Sequence, residues 1–259
     1  MVARVRQRVE IMRRAHKFWS LLAAASLGCG LVQTAHAALL VSGSVGGAPT
    51  GVSKENFDTL VPGNTATTLL PSGITVSFLP DAQPVSGSSS GLYAAPFLSG
   101  GNGLGFGPGN TNQPNGVDTT TYITTGSTGA FAAATTTLQL PGQEKYFGIL
   151  WGSVDTYNTL SFYNGATLVG TITGSDVTAS PNGDQGVNGT LYVNIIATGG
   201  DTFDRVVATS SQYAFEFDNV AFNPNAVPEP FSLSLMGSGL LGLVLARRRR
   251  SRPDTGCHT

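Results

Sequence analysis

LSFYNGATLVGTIT, residues 160–173, is the stretch on which the fold turns. Two runs rich in β-branched and aromatic residues, 160–163 and 167–173, flank Asn164-Gly165, a dipeptide that readily takes the positive φ of a tight hairpin turn. Outward from this hairpin, segments of the same kind recur on both sides. Residues 119–125, 130–140 and 146–151 precede it, and residues 191–197, 203–208 and 213–222 follow. Each is short and bounded by Gly, Asn, Asp or Ser, and no long helical period runs between them. The expectation is an all-β fold: an antiparallel β-sandwich, jelly-roll-like in preference to a barrel or a propeller.

Further from the hairpin the pattern thins. Residues 38–45 read as a first strand, residues 56–60 as a strand or a turn of helix, and 65–70 with 74–78 as a strand pair. Residues 79–117 are dominated by Pro, Gly, Ser and Asn, with Leu92, Tyr93, Phe97, Leu98, Leu104 and Phe106 scattered among them. Such a stretch either covers the sandwich or forms a binding loop.

Both ends of the chain read as addresses. Arg4, Arg6, Arg8, Arg13, Arg14 and Lys17 form a basic leader, residues 18–32 are apolar, and Ala35-His36-Ala37 supplies a small-x-small cleavage pattern. Residues 1–37 are therefore a secretory signal peptide, cut by signal peptidase after Ala37, with Met1 or Met12 as its start. At the other end the chain reads VPEP, then FSLSLMGSGLLGLVLA, then RRRR. Pro228 and Pro230 keep any helix from starting before residue 231. The uncharged run 231–246 then covers roughly 24 Å as a helix, a little less than a bilayer core. Arg247, Arg248, Arg249 and Arg250 favour the cytoplasmic side, leaving 251–259 as a cytoplasmic tail.

The succession of Pro228-Glu229-Pro230, apolar helix and arginine cluster across residues 227–250 resembles the PEP-CTERM sorting signal of bacterial surface proteins. That resemblance implies recognition by an exosortase-type membrane protease, transient anchoring in the membrane and removal of the tail. Residues 146–165 and 200–222 also resemble the domain of an exosortase-dependent surface protein family, which implies a secreted β-rich domain and no established reaction. Exosortase systems accompany exopolysaccharide production, so the resemblance further implies residence at the cell envelope or in the extracellular matrix.

Export changes what the composition means. The formal net charge of the whole chain is -1, yet between residues 38 and 226 the basic residues are Lys54, Lys145 and Arg205, against a dozen Asp and Glu. So acidic a domain has no patch with which to neutralise phosphates, which excludes nucleic acid as a partner. Cys29, Cys257, His16, His36 and His258 all lie outside residues 38–226. The secreted domain thus has no disulfide, no Ser-His-Asp or Cys-His machinery and no ordinary zinc site.

Three constellations remain. Trp151, Asp155, Tyr157 and Asn158 suit a glycan contact, the aromatic ring offering a face to sugar C–H groups, although a lone Trp at a strand end also fits a core. Asp176, Asn182 and Asp184 lie in a turn-rich loop and offer hard oxygens to calcium, or else are a solvated turn. Asp155, Glu216 and Asp218 are the conceivable carboxylates of a glycan hydrolase. The sequence favours a non-enzymatic structural or matrix-interacting role. A carbohydrate-binding module is the alternative, and a carboxylate hydrolase comes second.

Overall fold

The computed structural model describes residues 39–126 and 134–227, all within the unit Ala37–Thr259. Ala35, Ala37, Pro228, Glu229, Pro230 and Arg247 to Arg250 lie outside the described residues, as does the apolar run 231–246. Among the described residues no helix is long and apolar enough to cross a membrane.

Fifteen strands are described: β1 (Leu39–Ser44), β2 (Ser53–Glu55), β3 (Thr68–Leu69), β4 (Thr75–Phe78), β5 (Ala82–Val85), β6 (Phe97–Leu98), β7 (Gly116–Val117), β8 (Tyr122–Thr125), β9 (Thr135–Glu144), β10 (Tyr146–Gly152), β11 (Asn158–Asn164), β12 (Thr167–Thr173), β13 (Leu191–Ala197), β14 (Phe203–Ser210) and β15 (Phe215–Asn223). One turn of helix, α1 (Gly174–Val177), follows β12.

The last eight strands set the topology. β11 pairs with β12, β10 with β13, β9 with β14 and β8 with β15, all antiparallel. The chain is therefore folded back on itself about the β11–β12 turn and then rolled. That puts β13-β10-β15-β8 in one sheet and β12-β11-β14-β9 in the other, the two-sheet arrangement of a jelly roll. The remaining strands extend this frame: β1 and β5 at the two edges of the first sheet, β2 beside β15, and β4 with β3 beyond β9. β6 and β7 form a separate two-stranded ribbon.

The turn at the centre differs by one residue from the expectation. Asn164 pairs with Thr167, so the loop residues are Gly165 and Ala166. Gly165 takes φ 57, the positive value that a two-residue turn with glycine in first position needs. Asn164 is then free to donate through Nδ2 to Thr202 Oγ1 at 3.1 Å.

Alternation fills the space between the sheets. Phe147 meets Phe162 edge-on at 5.7 Å, Phe162 meets Phe203 at 5.0 Å, and Trp151 lies 4.4 Å from Phe215. Each such ring is fully buried and contributes about 2 kcal/mol through burial.

Every residue of β10 is buried, however, so the first sheet is covered on its outer face too. Leu98 and Phe106, from the stretch with no clear strand pattern, pack there on Tyr146, Leu150, Tyr192 and Ala221. Residues 79–117 thus supply a cover over a sheet face, and under it lie polar groups of β8, β13 and β15. Strand β5 within that stretch escapes the pattern because of Pro84, which an edge strand tolerates. Residues 56–60 are neither strand nor helix. Phe57 takes φ 57 and drops into the core against Phe217.

β15 does not alternate evenly. Its register against β10 shifts between Gly148 and Leu150, and Asn219 takes φ 49. The extra residue of this bulge puts Phe217, Val220 and Phe222 on the inner face. Glu216 and Asp218 face outward, beneath the cover.

Candidate functional site

The connection between β10 and β11 begins at Ser153, held at φ 42. Such a value is costly for a non-glycine residue and is retained where the surroundings impose it. Here it presents Ser153 Oγ to Glu216 Oε2 at 2.6 Å, while Ala94 N donates to Glu216 Oε1 at 2.8 Å. Glu216 is 2 % exposed, and burial lifts its pKa to about 7 despite these two donors.

Two residues beyond Ser153, Asp155 is 8 % exposed and its carboxyl is also raised by burial. Its Oδ2 is in hydrogen-bond contact with Tyr157 Oη, which lies 2.7 Å from the Tyr213 carbonyl oxygen as well. A phenol has one proton for these two acceptors. Burial, and Asp155 beside it, hold Tyr157 in its neutral form.

Asp155 and Glu216 open onto one cleft of about 440 Å³. Its other walls are Ser88 to Ala94 of the cover, Asn182, Gly183 and Gln185 after α1, and Tyr213 with Ala214 ahead of β15. Tyr93 and Tyr157 are half-buried and Tyr213 is exposed, so three tyrosines line the cleft with the two carboxyl residues. The loop after α1 is fixed there by Gly183 N donating to Val154 O at 3.1 Å and Val154 N to Gly189 O at 2.9 Å. A second hollow of about 480 Å³ runs along Glu55 and Phe106. There Glu55 Oε1 already accepts from Asn56 N and Phe57 N.

The four glycan-contact candidates divide. Asp155 and Tyr157 reach the cleft. Trp151 does not: it is 0 % exposed and stacked on Phe215, because its alternation along β10 points it between the sheets. Asn158 is equally buried and ties two segments together, donating to Ala214 O at 3.1 Å and accepting from Ser210 Oγ at 2.7 Å. Trp151 and Asn158 are structural.

The calcium candidates also separate. Asp176 Oδ2 accepts from Thr173 N at 2.8 Å and Thr173 Oγ1 at 2.7 Å, capping α1. Asp184 Oδ1 accepts from Gly186 N at 2.7 Å, and Asn182 Oδ1 from Asp184 N at 3.3 Å. Each side chain serves its own turn, and Asn182 alone of the three lines the cleft. Of the carboxylates considered for hydrolysis, Asp155 and Glu216 share the cleft, whereas Asp218 is sealed beneath the cover.

Residues 226–250 match the PEP-CTERM protein-sorting motif. The match begins three residues after β15 ends at Asn223. The chain therefore carries a sorting signal for processing by an exosortase membrane enzyme, which supports export and a place at the cell envelope or surface. No curated protein and no solved structure matches the chain.

Proposed function

We propose that this is a surface or matrix protein whose jelly-roll domain holds a polysaccharide segment in the cleft of Asp155, Tyr157 and Glu216. One observation carries the reading: Tyr93, Tyr157 and Tyr213 line one cleft together with Asp155 and Glu216. A phenol offers an apolar face to sugar C–H groups and a hydroxyl to their oxygens, and carboxyls accept from sugar hydroxyls. The sorting signal supports the reading by directing the domain to the cell surface.

The test is affinity electrophoresis of the full-length chain through gels containing extracted cell-surface polysaccharide. Migration should slow, and the double substitution Tyr93→Ala with Tyr213→Ala should weaken binding about tenfold or more, or about 1.4 kcal/mol. Unretarded migration, or retardation unchanged in the double variant, overturns the reading.

A hydrolase is the second reading, favoured by Glu216 with a pKa of about 7 in the same cleft as Asp155. A carboxyl poised near neutrality suits a general acid. Release of reducing ends from that polysaccharide, abolished in Glu216→Gln with binding retained, would establish it. Binding without turnover would leave the module.

A further inference from the structure

Asp218 lies two residues past Glu216 on the same covered face. It is 0 % exposed; the backbone N–H of Asn219 approaches its carboxylate, yet neither oxygen accepts a hydrogen bond of good geometry. Asp118, 1 % exposed, follows β7 in the cover and comes within hydrogen-bonding reach of it. Asp118 Oδ1 accepts from Thr120 N at 2.8 Å and Thr120 Oγ1 at 2.6 Å, but its Oδ2 has no donor. Beside Asp218, Asn219 donates through Nδ2 to Gln113 Oε1 at 2.6 Å and Asn102 O at 3.2 Å. Its Oδ1 is left buried and bare. Gln113 Nε2 in turn donates to Thr120 Oγ1 at 3.2 Å, which links Asn219 back to Asp118.

Both Asp218 oxygens, Asp118 Oδ2 and Asn219 Oδ1 are therefore buried beneath the same cover without a well-formed hydrogen bond. Lys54, the basic residue of the neighbouring β2, is engaged elsewhere: its Nζ donates to Leu104 O at 2.6 Å and sits over the Phe106 ring. An unpaired buried carboxylate is among the costliest groups a fold can hold. We infer that Asp118, Asp218 and Asn219 together bind a divalent cation, calcium by the chemistry of the ligands.

Charge and ligand type agree on the ion. Two carboxylates cancel two positive charges, so the ion and its ligands are buried as a neutral set. All four donors are hard oxygens, and calcium accepts six to eight of these in loose geometry, some of them from water. Among the described residues no three His, Cys, Asp or Glu group closely enough to hold an ion between them. The site accordingly stands on two carboxylates and an amide, which suits the weak affinities of extracellular modules, about 10⁻⁴ to 10⁻³ M. The ion would fasten the cover, through Asp118, to β15. Without it, burial and Asp118 both push Asp218 toward its protonated form.

The test uses the full-length chain in detergent, stripped with EDTA. Terbium should bind with a stoichiometry of one and give luminescence sensitised by Tyr122 and Tyr192, the two tyrosines that feel the charge of Asp218. Millimolar calcium should displace it and raise the melting temperature more than magnesium at equal ionic strength. Asp118→Asn and Asp218→Asn should each weaken terbium binding about tenfold or more, the least expected for a direct ligand, while Asp184→Asn should not. The stripped wild-type chain keeps the inference falsifiable even where a variant does not fold. No sensitised luminescence and equal melting in calcium and magnesium would overturn it, as would binding lost in Asp184→Asn and kept in the other two.

Discussion

Ser153 Oγ donates a 2.6 Å hydrogen bond to Glu216 Oε2, joining the end of β10 to the start of β15 at the base of the cleft. The bond favours the carboxylate, yet burial outweighs it and lifts Glu216 from 4.5 to about 7. In the folded chain this group therefore binds its proton more tightly than in the unfolded chain. Its contribution to stability is fully present below pH 4.5 and is lost as pH rises through about 7. A shift of this size corresponds to roughly 3 kcal/mol. With EDTA present, urea midpoints of the wild type should fall across that window, and Glu216→Gln should flatten the fall. A slope should persist from Asp218, Asp155, Glu144 and Asp58, all raised in the same direction by burial. Parallel profiles for wild type and variant would refute the assignment.

Gly148 stands on the covered face of β10, where an added Cβ would come within 2.7 Å of the Tyr192 hydroxyl and closer still to that of Tyr146. Tyr146 Oη is fixed by donating to Asn194 Oδ1 at 2.8 Å, and Tyr192 Oη by donating to Asn219 O at 3.1 Å. Gly148→Ala should therefore cost about 1–3 kcal/mol in urea unfolding. Gly142→Ala is the control, since its Cβ would meet nothing nearer than Glu144 Oε1 at 3.7 Å and should cost within about 0.5 kcal/mol.

Trp151 tests the division between core and cleft. Trp151→Ala should lose about 3–5 kcal/mol, the usual cost of emptying a large aromatic site. Trp151→Phe, which keeps a ring against Phe215, should stay folded and bind polysaccharide within about twofold of wild type, because the native ring has no exposed face. A folded Trp151→Phe that no longer binds would return this residue to the site.

How much of this was legible follows from which signals are local. The β11–β12 hairpin and the strands nested about it are written in β-branched alternation, so the jelly-roll frame could be read outward from Gly165. The cover could not, because Leu98 and Phe106 are dispersed in a Gly- and Pro-rich stretch and meet only over β10. The bulge at Asn219 was equally hidden. Even alternation would put Val220 with Glu216, and one residue with φ 49 returns Val220 to the core. At the cleft, Asp155, Tyr157 and Glu216 were singled out by residue type. Ser153 and Tyr213 carried no signal beyond lying near them in sequence, and the pairing of Asp118 with Asp218 joins residues a hundred positions apart.

Processing can be judged against the same geometry. β15 carries Glu216, Asp218 and the central phenylalanines of the core, and it ends at Asn223. Val227, inside the matched motif, still packs on the cluster of Leu98, Phe106 and Tyr192. A cut at the Pro-Glu-Pro region therefore spares every described strand and also this last apolar contact, whereas a cut before residue 224 would unpick the centre of the first sheet. In a host with a working exosortase, the intact mass of the exported protein should show a start near residue 38 and the loss of everything beyond residues 228–230. The shortened chain should have no cysteine, since Cys29 and Cys257 leave with the two ends, and its melting temperature should be the same with and without reductant. An exported chain that retains Arg247 to Arg250 would show that the motif is not cleaved. A reductant-sensitive melt would show that a cysteine-bearing end remains attached.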